Sequence, residues 1–453
     1  MPRHAALRPA KPRIPSPKAT LAAYGGRPVL RPERIARWPA PSLDHVSALI
    51  EATRSGRYHR VNHPIVSRLE DALGEWSGGL RVRAVGSGTA AIHIALDHYR
   101  ERGRKVLTPA LNWPGALGPI HFAGLEPVFA DVSLEDACID ENDALGKLSP
   151  ETGVILLSHL FGNVSEVPRL RQTARACDIA LIDDCAQAIG ALRPQPDGGR
   201  IDSDAFTLSG NGAKHLGAGE LGFLCGTDAG LIEHVDRVSL SSSARDGGRV
   251  FAPMSYGLNY RPNVLSSAIA LSRLPGLDEQ LAARAENAAI LRIGLSGLPG
   301  LRILHKFSEA RNSFLNFALL LEAGELGLPA VPATRDFIVD LLLQEGVPVW
   351  IWLRRPAWAY LPFWPEEAER PALPNTEKLL AGLFDIVEIP RQAAADFEDA
   401  VDGGAGEPGK RGRHLSLARS EGAHRTLPRP CGCRERARAG PSTPSRRPLY
   451  RPA

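Results

Sequence analysis

From residue 81 to residue 226, short apolar runs alternate with stretches at helical spacing, and this alternation restricts the possible folds more than any other property of the chain. The apolar runs fall at 81–85, 105–108, 127–132, 153–159, 179–184, 205–209 and 222–226. Helical stretches at 90–99, 113–122, 140–148 and 166–177 lie between the earlier ones. Strands that are apolar throughout have no solvated face, and the intervening helices supply the cover. The pattern therefore predicts an α/β fold with a mostly parallel central sheet and helices on both faces. In such sheets ligands bind beyond the carboxyl ends of the strands. Ser87, Trp113, Asp184 and Ser209 all fall at or just past such ends, so four separate segments are expected to meet on one rim.

On either side of this block the pattern changes. Residues 41–77 read as two helices around a turn at 55–58. Residues 262–298, rich in Ala and Leu at helical spacing, lead into a smaller C-terminal α+β domain with strands near 314–321 and 347–352 and a helix near 334–345. The expected organisation is a disordered extension over 1–20, a large α/β domain over 21–265, a linking helix with the small domain over 266–400, and a disordered Arg/Gly/Pro-rich tail over 401–453. The net charge of +4 belongs to that tail, which carries twelve basic and four acidic residues and leaves the rest of the chain at −4. The body thus has no nucleic-acid footprint. No apolar run approaches the roughly 18 residues of a membrane span, and the basic N-terminus lacks the apolar core of a signal peptide, so a cytoplasmic location is expected. Cys138, Cys177, Cys185 and Cys225 sit in apolar or strand-edge surroundings and are expected as buried free thiols. Cys431-Gly-Cys433 is too short and isolated for zinc, and no metal site is expected.

Eight of the 54 basic residues are lysines. One of them, Lys214, lies among small residues just after the run ending at Ser209. Arginine cannot replace lysine in one kind of chemistry, because only a primary amine of adjustable pKa condenses with an aldehyde. Thirty residues upstream, the run 179–184 closes on Asp183 and Asp184, with Gln187 three residues on. A lysine for the aldehyde and an acid for the pyridinium nitrogen are what pyridoxal 5′-phosphate (PLP) requires. Gly86-Ser87-Gly88-Thr89, between a strand and a helix, is a ready phosphate cradle, because free N–H groups and the helix dipole favour an anion there. Its spacing fails the dinucleotide fingerprint. Each feature also has a plain structural explanation: solvated turn carboxylates, a glycine-rich turn, a core tryptophan at 113, a turn serine at 209, and hydrogen-bonding histidines at 159 and 215. The segment 256–262 reads either as an ordinary loop or as one that reaches into a site.

In register, these segments resemble the DegT/StrS family of PLP-dependent sugar aminotransferases from about residue 22 to residue 400. Ser87-Gly-Thr-Ala-Ala-Ile resembles the family's SGTAAL turn. Pro109-Ala-Leu-Asn-Trp113 is similar to its P-A-x-T-[FW], His159-Leu-Phe-Gly to HLYG, and Asp183-Asp-Cys-Ala-Gln187-Ala to EDAAQA. Ser209-Gly-Asn-Gly-Ala-Lys214 with Gly219-Glu220 resembles S-F-x-x-x-K…G-E-G-G, and Gly257-Leu-Asn-Tyr-Arg261 resembles GYNYR. The resemblance implies PLP fold type I. It implies that Lys214 holds PLP covalently and shuttles the proton, that Asp184 pairs with the ring nitrogen and that Gln187 bonds the phenolic oxygen. Trp113 would stack on the ring, while Gly88, Thr89 and Ser209 bind phosphate. Asn259 would reach the phosphate of the partner subunit, which makes the protein a homodimer with shared sites. The implied reaction moves an amino group from glutamate or glutamine to a keto-sugar or keto-cyclitol. The segments at 21–28, 38–39 and 55–58 lean toward cyclitol or aminohydroxybenzoate-type members, hence toward antibiotic or other secondary-metabolite biosynthesis.

Three positions depart from the family pattern: Gly210 replaces the aromatic after Ser209, Leu221 replaces a glycine of G-E-G-G, and Glu166-Val167 replaces an acidic-Met pair. The first two flank Lys214. The family includes a dehydratase branch in which a histidine replaces the lysine, so the presence of Lys214 favours transamination. Two alternatives stay open on sequence: a dehydrating or aromatising PLP reaction at the same site, and a non-catalytic PLP-binding regulatory relative.

Overall fold

A computed structural model describes residues 20–31, 35, 38–40, 42–58, 63–194, 199–240, 242–245, 250–253, 257–307, 311–361 and 371–387. The tail at 401–453, with Cys431 and Cys433, and the extension up to residue 19 lie outside the described residues.

Seven strands form the central sheet: β1 Arg81–Val85, β2 Lys105–Pro109, β3 Glu126–Ala130, β4 Thr152–Ser158, β5 Ala180–Asp184, β6 Ala205–Ser209 and β7 Gly222–Gly226. Their order is β1-β7-β6-β5-β4-β2-β3. Only β7 is reversed, antiparallel to both β1 and β6, and the other pairings are parallel. The expected mostly parallel sheet is present. β6 and β7 are joined by a loop without a helix, and the two strands pair antiparallel. Every residue of β4 and β5 is buried, and side chains alternate between two covers. Ile182 packs with Val106, Leu156 and the helices α3 (Gly88–Tyr99) and α4 (Pro114–Phe122). Leu181 packs on the opposite face with Leu170 and Ala174 of α6 (Pro168–Ala176), near the short α5 (Glu141–Gly146). The β1–β7–β6 end is covered by α2 (Pro64–Trp76) and α8 (Val264–Arg273), and α1 (Leu43–Arg54) lies against α8 through Ala52.

Helix α9 (Leu277–Leu295) leads into a four-stranded antiparallel sheet of order β10-β11-β13-β12. Its strands are β10 Leu301–Ile303, β11 Phe317–Leu321, β12 Val349–Trp350 and β13 Leu383–Ile386, and it carries α10 (Pro332–Gln344) and α11 (Pro374–Gly382). One face buries Phe317, Leu319, Phe384 and Ile386 against α9 and α10. The other presents Ala318, Leu320 and Leu383 to Leu111, Val132, Leu160 and Phe161, which belong to the rim of the large sheet. The second layer is thus held against the end of the sheet where the site was expected.

The sequence reading omitted α7 (Ala229–Leu240), the hairpin of β8 (Ser242–Arg245) and β9 (Val250–Pro253), β10, α11 and β13. These strands are three or four residues long, too short to display a period. One expectation is corrected. Cys138, Cys185 and Cys225 are buried free thiols, whereas Cys177 is exposed. It caps the C-terminus of α6, on the solvent side of an amphipathic helix.

Candidate active site

Five strand ends and one loop enclose a cavity of about 360 Å³. Ser87, Gly88 and Thr89 enter it after β1, Asn112 and Trp113 after β2, Ser158 and His159 at β4, Asp184 and Gln187 at β5, and Ser209 at β6. Lys214 enters from the β6–β7 loop, and Trp350 and Trp352 enter from the small sheet. Seven of the eight site residues expected from sequence therefore meet in one place. Asn259 does not line this cavity. It is exposed, with a left-handed φ of 58°, in a segment fastened to the phosphate turn by the Gly86 N–H bond to the Tyr260 carbonyl at 2.8 Å.

The Lys214 loop is closed at its base, where the Gly210 N–H donates to the Leu221 carbonyl at 2.7 Å and the Ala218 N–H to the Gly210 carbonyl at 2.8 Å. Burial weakens the hold of the lysine on its proton, and the charge of Asp184 only partly restores it. The amine is therefore shifted toward the neutral, nucleophilic form. The two sequence departures beside it prove to be one packing event. A Cβ on Gly210 would meet the Leu221 Cβ at 3.0 Å, and Leu221 is buried. The Leu221 side chain thus takes up space next to residue 210, where the family carries an aromatic.

Asp183 and Asp184 are not solvated turn carboxylates, since both are buried. They also differ sharply. For Asp183, burial alone would favour the acid, but a forked pair with Arg171 (Nη1–Oδ2 3.0 Å, Nη2–Oδ1 2.6 Å) and the His159 contact hold it well below the usual carboxylate range. His159 Nδ1 accepts the Ser165 N–H at 3.0 Å, so its proton sits on Nε2 and is donated to Asp183 Oδ1 at 2.8 Å. Asp184 has no guanidinium. Burial raises its pKa against the opposing pull of the Ala186 N–H (3.1 Å), Lys214, His159 and the Thr207 hydroxyl (3.4 Å). A buried carboxylate in this state favours a cationic N–H partner on its cavity side.

The remaining groups fit PLP. The Ser87 side chain caps α3 by accepting the Ala90 N–H at 3.1 Å, and the first N–H groups of the helix point at the cavity mouth, where an anion is favoured. Two glycines keep this turn close to the sheet. A Cβ on Gly88 would lie 3.2 Å from the Ser209 Cβ, and one on Gly222 would lie 2.1 Å from the Ser87 carbonyl carbon. The Gln187 Oε1 accepts the Phe161 N–H at 2.7 Å, which leaves its amide N–H₂ as the donor end. The buried Ser158 hydroxyl, opposite Asp184 in the sheet register, has no hydrogen-bond partner and lines the cavity. Trp113 is half-exposed into the cavity and stacks against Trp352 with ring centroids 6.3 Å apart and planes at 27°. Sequence reading missed Ser158, Trp350 and Trp352. Nothing in the sequence distinguishes the terminal serine of an apolar strand, and the two tryptophans matter only through tertiary placement.

A primary amine and an acid lining one aromatic-walled cavity, beside a helix start at the carboxyl rim of a mostly parallel sheet, match the type I fold of PLP-dependent aminotransferases. The chain belongs to the DegT/DnrJ/EryC1/StrS aminotransferase family, whose model matches residues 42–402. It is 29% identical over 298 residues to the L-glutamine:2-deoxy-scyllo-inosose aminotransferase of Micromonospora echinospora, covering 61% of this chain and 69% of that protein. Its fold is similar to the crystal structure of 3-amino-5-hydroxybenzoic acid (AHBA) synthase, with a TM-score of 0.72, 23% identity and coverage of 81% and 97% of the two chains. NtdA from Bacillus subtilis, solved with bound cofactor PMP, matches with a TM-score of 0.67, 19% identity and coverage of 83% and 84%.

Proposed function

We propose that this aminotransferase uses PLP to move an amino group from glutamine or glutamate to a keto-cyclitol or keto-sugar. The observation that carries the reading is the joint placement of Lys214 and Asp184 in one cavity, each electrostatically coupled to the other. PLP, when bound, supplies the electron sink that lets an amino group leave one carbon skeleton and join another. Asp184 would hold the ring-nitrogen proton, Gln187 would donate to the phenolic oxygen and Trp113 would cover the ring face. Gly88, Thr89 and Ser209 would bind the phosphate. The Lys214 Nζ, kept toward neutrality by burial, would hold the aldehyde carbon and carry the proton at the substrate carbon. The indoles of Trp350 and Trp352 give a flat apolar wall beside polar groups, which suits a ring with apolar faces and hydroxylated edges. The name of the Micromonospora relative supports a cyclitol ketone and glutamine as donor.

The reading extends to assembly. Asn259, exposed beside the phosphate turn, would complete the site of a second copy. Helix α1 leaves Leu43, Val46 and Ile50 exposed along one stripe, which supports burial in a homodimer. In this reading residues 21–265 carry the cofactor platform and 266–400 the smaller domain, in a cytoplasmic enzyme of secondary metabolism. No helix among the described residues is long and apolar enough to cross a membrane.

The test is spectroscopic. Protein purified with PLP is expected to show the absorbance band of lysine-bound cofactor, and Lys214→Ala is expected to lack it. Glutamine or glutamate should convert the band to that of the amine form of the cofactor, and a keto-cyclitol should restore it. A Lys214→Ala protein that still turns over would defeat the assignment.

A further inference from the structure

The Lys214 loop has no regular secondary structure, yet its backbone has to hold the amine in the cavity it shares with Asp184. Part of the support comes from 176 residues upstream. The Trp38 indole N–H donates to the Lys214 carbonyl at 3.2 Å. The same dipeptide bears on the far end of the turn, because Gly217, at φ 49°, sits where a Cβ would be 3.0 Å from the Pro39 Cβ and 3.4 Å from the Trp38 ring. Trp38 is itself held by two arginines. The guanidiniums of Arg273 and Arg284 lie 5.4 and 5.1 Å from its ring centroid. Each is tied to backbone, Arg273 to the Ala40 carbonyl at 3.0 Å and Arg284 to the Leu315 carbonyl at 2.9 Å. Two cations over one indole hold it more firmly than packing alone would. The neighbouring carbonyl of His215 is held in the same way, by Gln280 Nε2 at 3.1 Å.

We infer that Trp38 is a positioning residue for Lys214: its N–H, on a ring contacted by Arg273 and Arg284, sets the backbone from which the reactive amine projects. The contact is specific in kind. A tryptophan offers a ring to the guanidiniums and delivers a donor at its edge, whereas a phenylalanine offers the ring without the donor. The inference rests on the aminotransferase reading only for its catalytic consequence, because the placement of the amine can be measured without cofactor.

The experiment compares wild type with Trp38→Phe in two measurements. The first is competitive labelling of lysine amines in cofactor-free protein with fluorodinitrobenzene across pH, read by mass spectrometry, with Lys306 as internal reference. Lys306 is paired with Asp136 and Glu166 and does not line the cavity. The second is the single-turnover rate with glutamate in the PLP-loaded protein. Trp38→Phe is expected to change Lys214 labelling at least about fivefold with Lys306 unchanged, and to slow the single turnover roughly ten- to a hundredfold, the cost of misplacing a reacting group by up to about 1 Å. Wild-type Lys214 labelling in the variant overturns the inference. So does a parallel rise at Lys214 and Lys306, which marks a loss of fold rather than of position. Failure of wild-type protein to take up PLP would defeat the aminotransferase reading and leave the labelling result standing.

Discussion

Adjacent residues on one strand can carry opposite electrostatic fates, and here the partner decides. Asp183 meets Arg171 and is fixed as a carboxylate. Asp184 meets no guanidinium, so burial dominates and the group is left to seek a cation in the cavity. A third buried carboxyl, Asp385 in β13, follows the second pattern without a cavity. Its Oδ2 accepts from Asn316, its Oδ1 has no hydrogen-bond partner, and burial raises its pKa to about 7. Because the folded pKa lies above the unfolded one, the folded state binds the proton more tightly. Stability from this group is present below about pH 4 and is lost as pH rises through about 7. Asp385→Asn should therefore be more stable than wild type at pH 8, by about 2–4 kcal/mol, with the gain vanishing near pH 4. Denaturant melts at the two pH values measure this, and equal differences at both would show that Asp385 does not titrate in that window. Of the site residues, those whose chemistry admits one residue type were legible in sequence: Lys214 for its amine, Asp184 for its charge, Gln187 for its spacing. Ser158 was not, because an unpartnered hydroxyl is a property of the packed interior rather than of the strand that carries it.

Among elements, the loop between β6 and β7 shows how a departure from family pattern is absorbed. Read singly, Gly210 and Leu221 are two losses beside the reactive lysine. In the fold they are neighbours, and the Leu221 side chain occupies the space beside Gly210. This yields a double-mutant expectation. Leu221→Gly alone empties a buried site and should cost about 2–5 kcal/mol, and Gly210→Phe alone should collide with Leu221. The double variant should recover about 1–3 kcal/mol relative to the sum of the single changes. Chemical denaturation of the four proteins reads the coupling, and strict additivity would mean that the two positions do not share space. The elements themselves were legible where the chain alternates apolar strands with helices, since burial on both faces leaves a continuous apolar run. The short strands β10 and β13 were not, because their place is set by pairing with β11 and by contact with the large sheet.

At the scale of the whole molecule, the rim of one sheet and residues of another enclose the cavity, and Asn259 lies outside its lining, exposed. The sequence disclosed the two layers but not their contact, because Leu111, Phe161, Ala318 and Leu320 join into one core only after folding. If Asn259 completes the site of a second copy, each site is built from Lys214 of one subunit and Asn259 of the other. Lys214→Ala homodimers should then be inactive and Asn259→Ala homodimers impaired. Co-refolding equal amounts of the two places half of the molecules in mixed dimers, each with one doubly altered site and one site intact on both sides. Restored activity of about a quarter of wild type is the expected result for a twofold-symmetric pair. A site complete within one chain would give no more than the average of the two parents, so the turnover of the mixture decides whether the active unit is the chain or the pair.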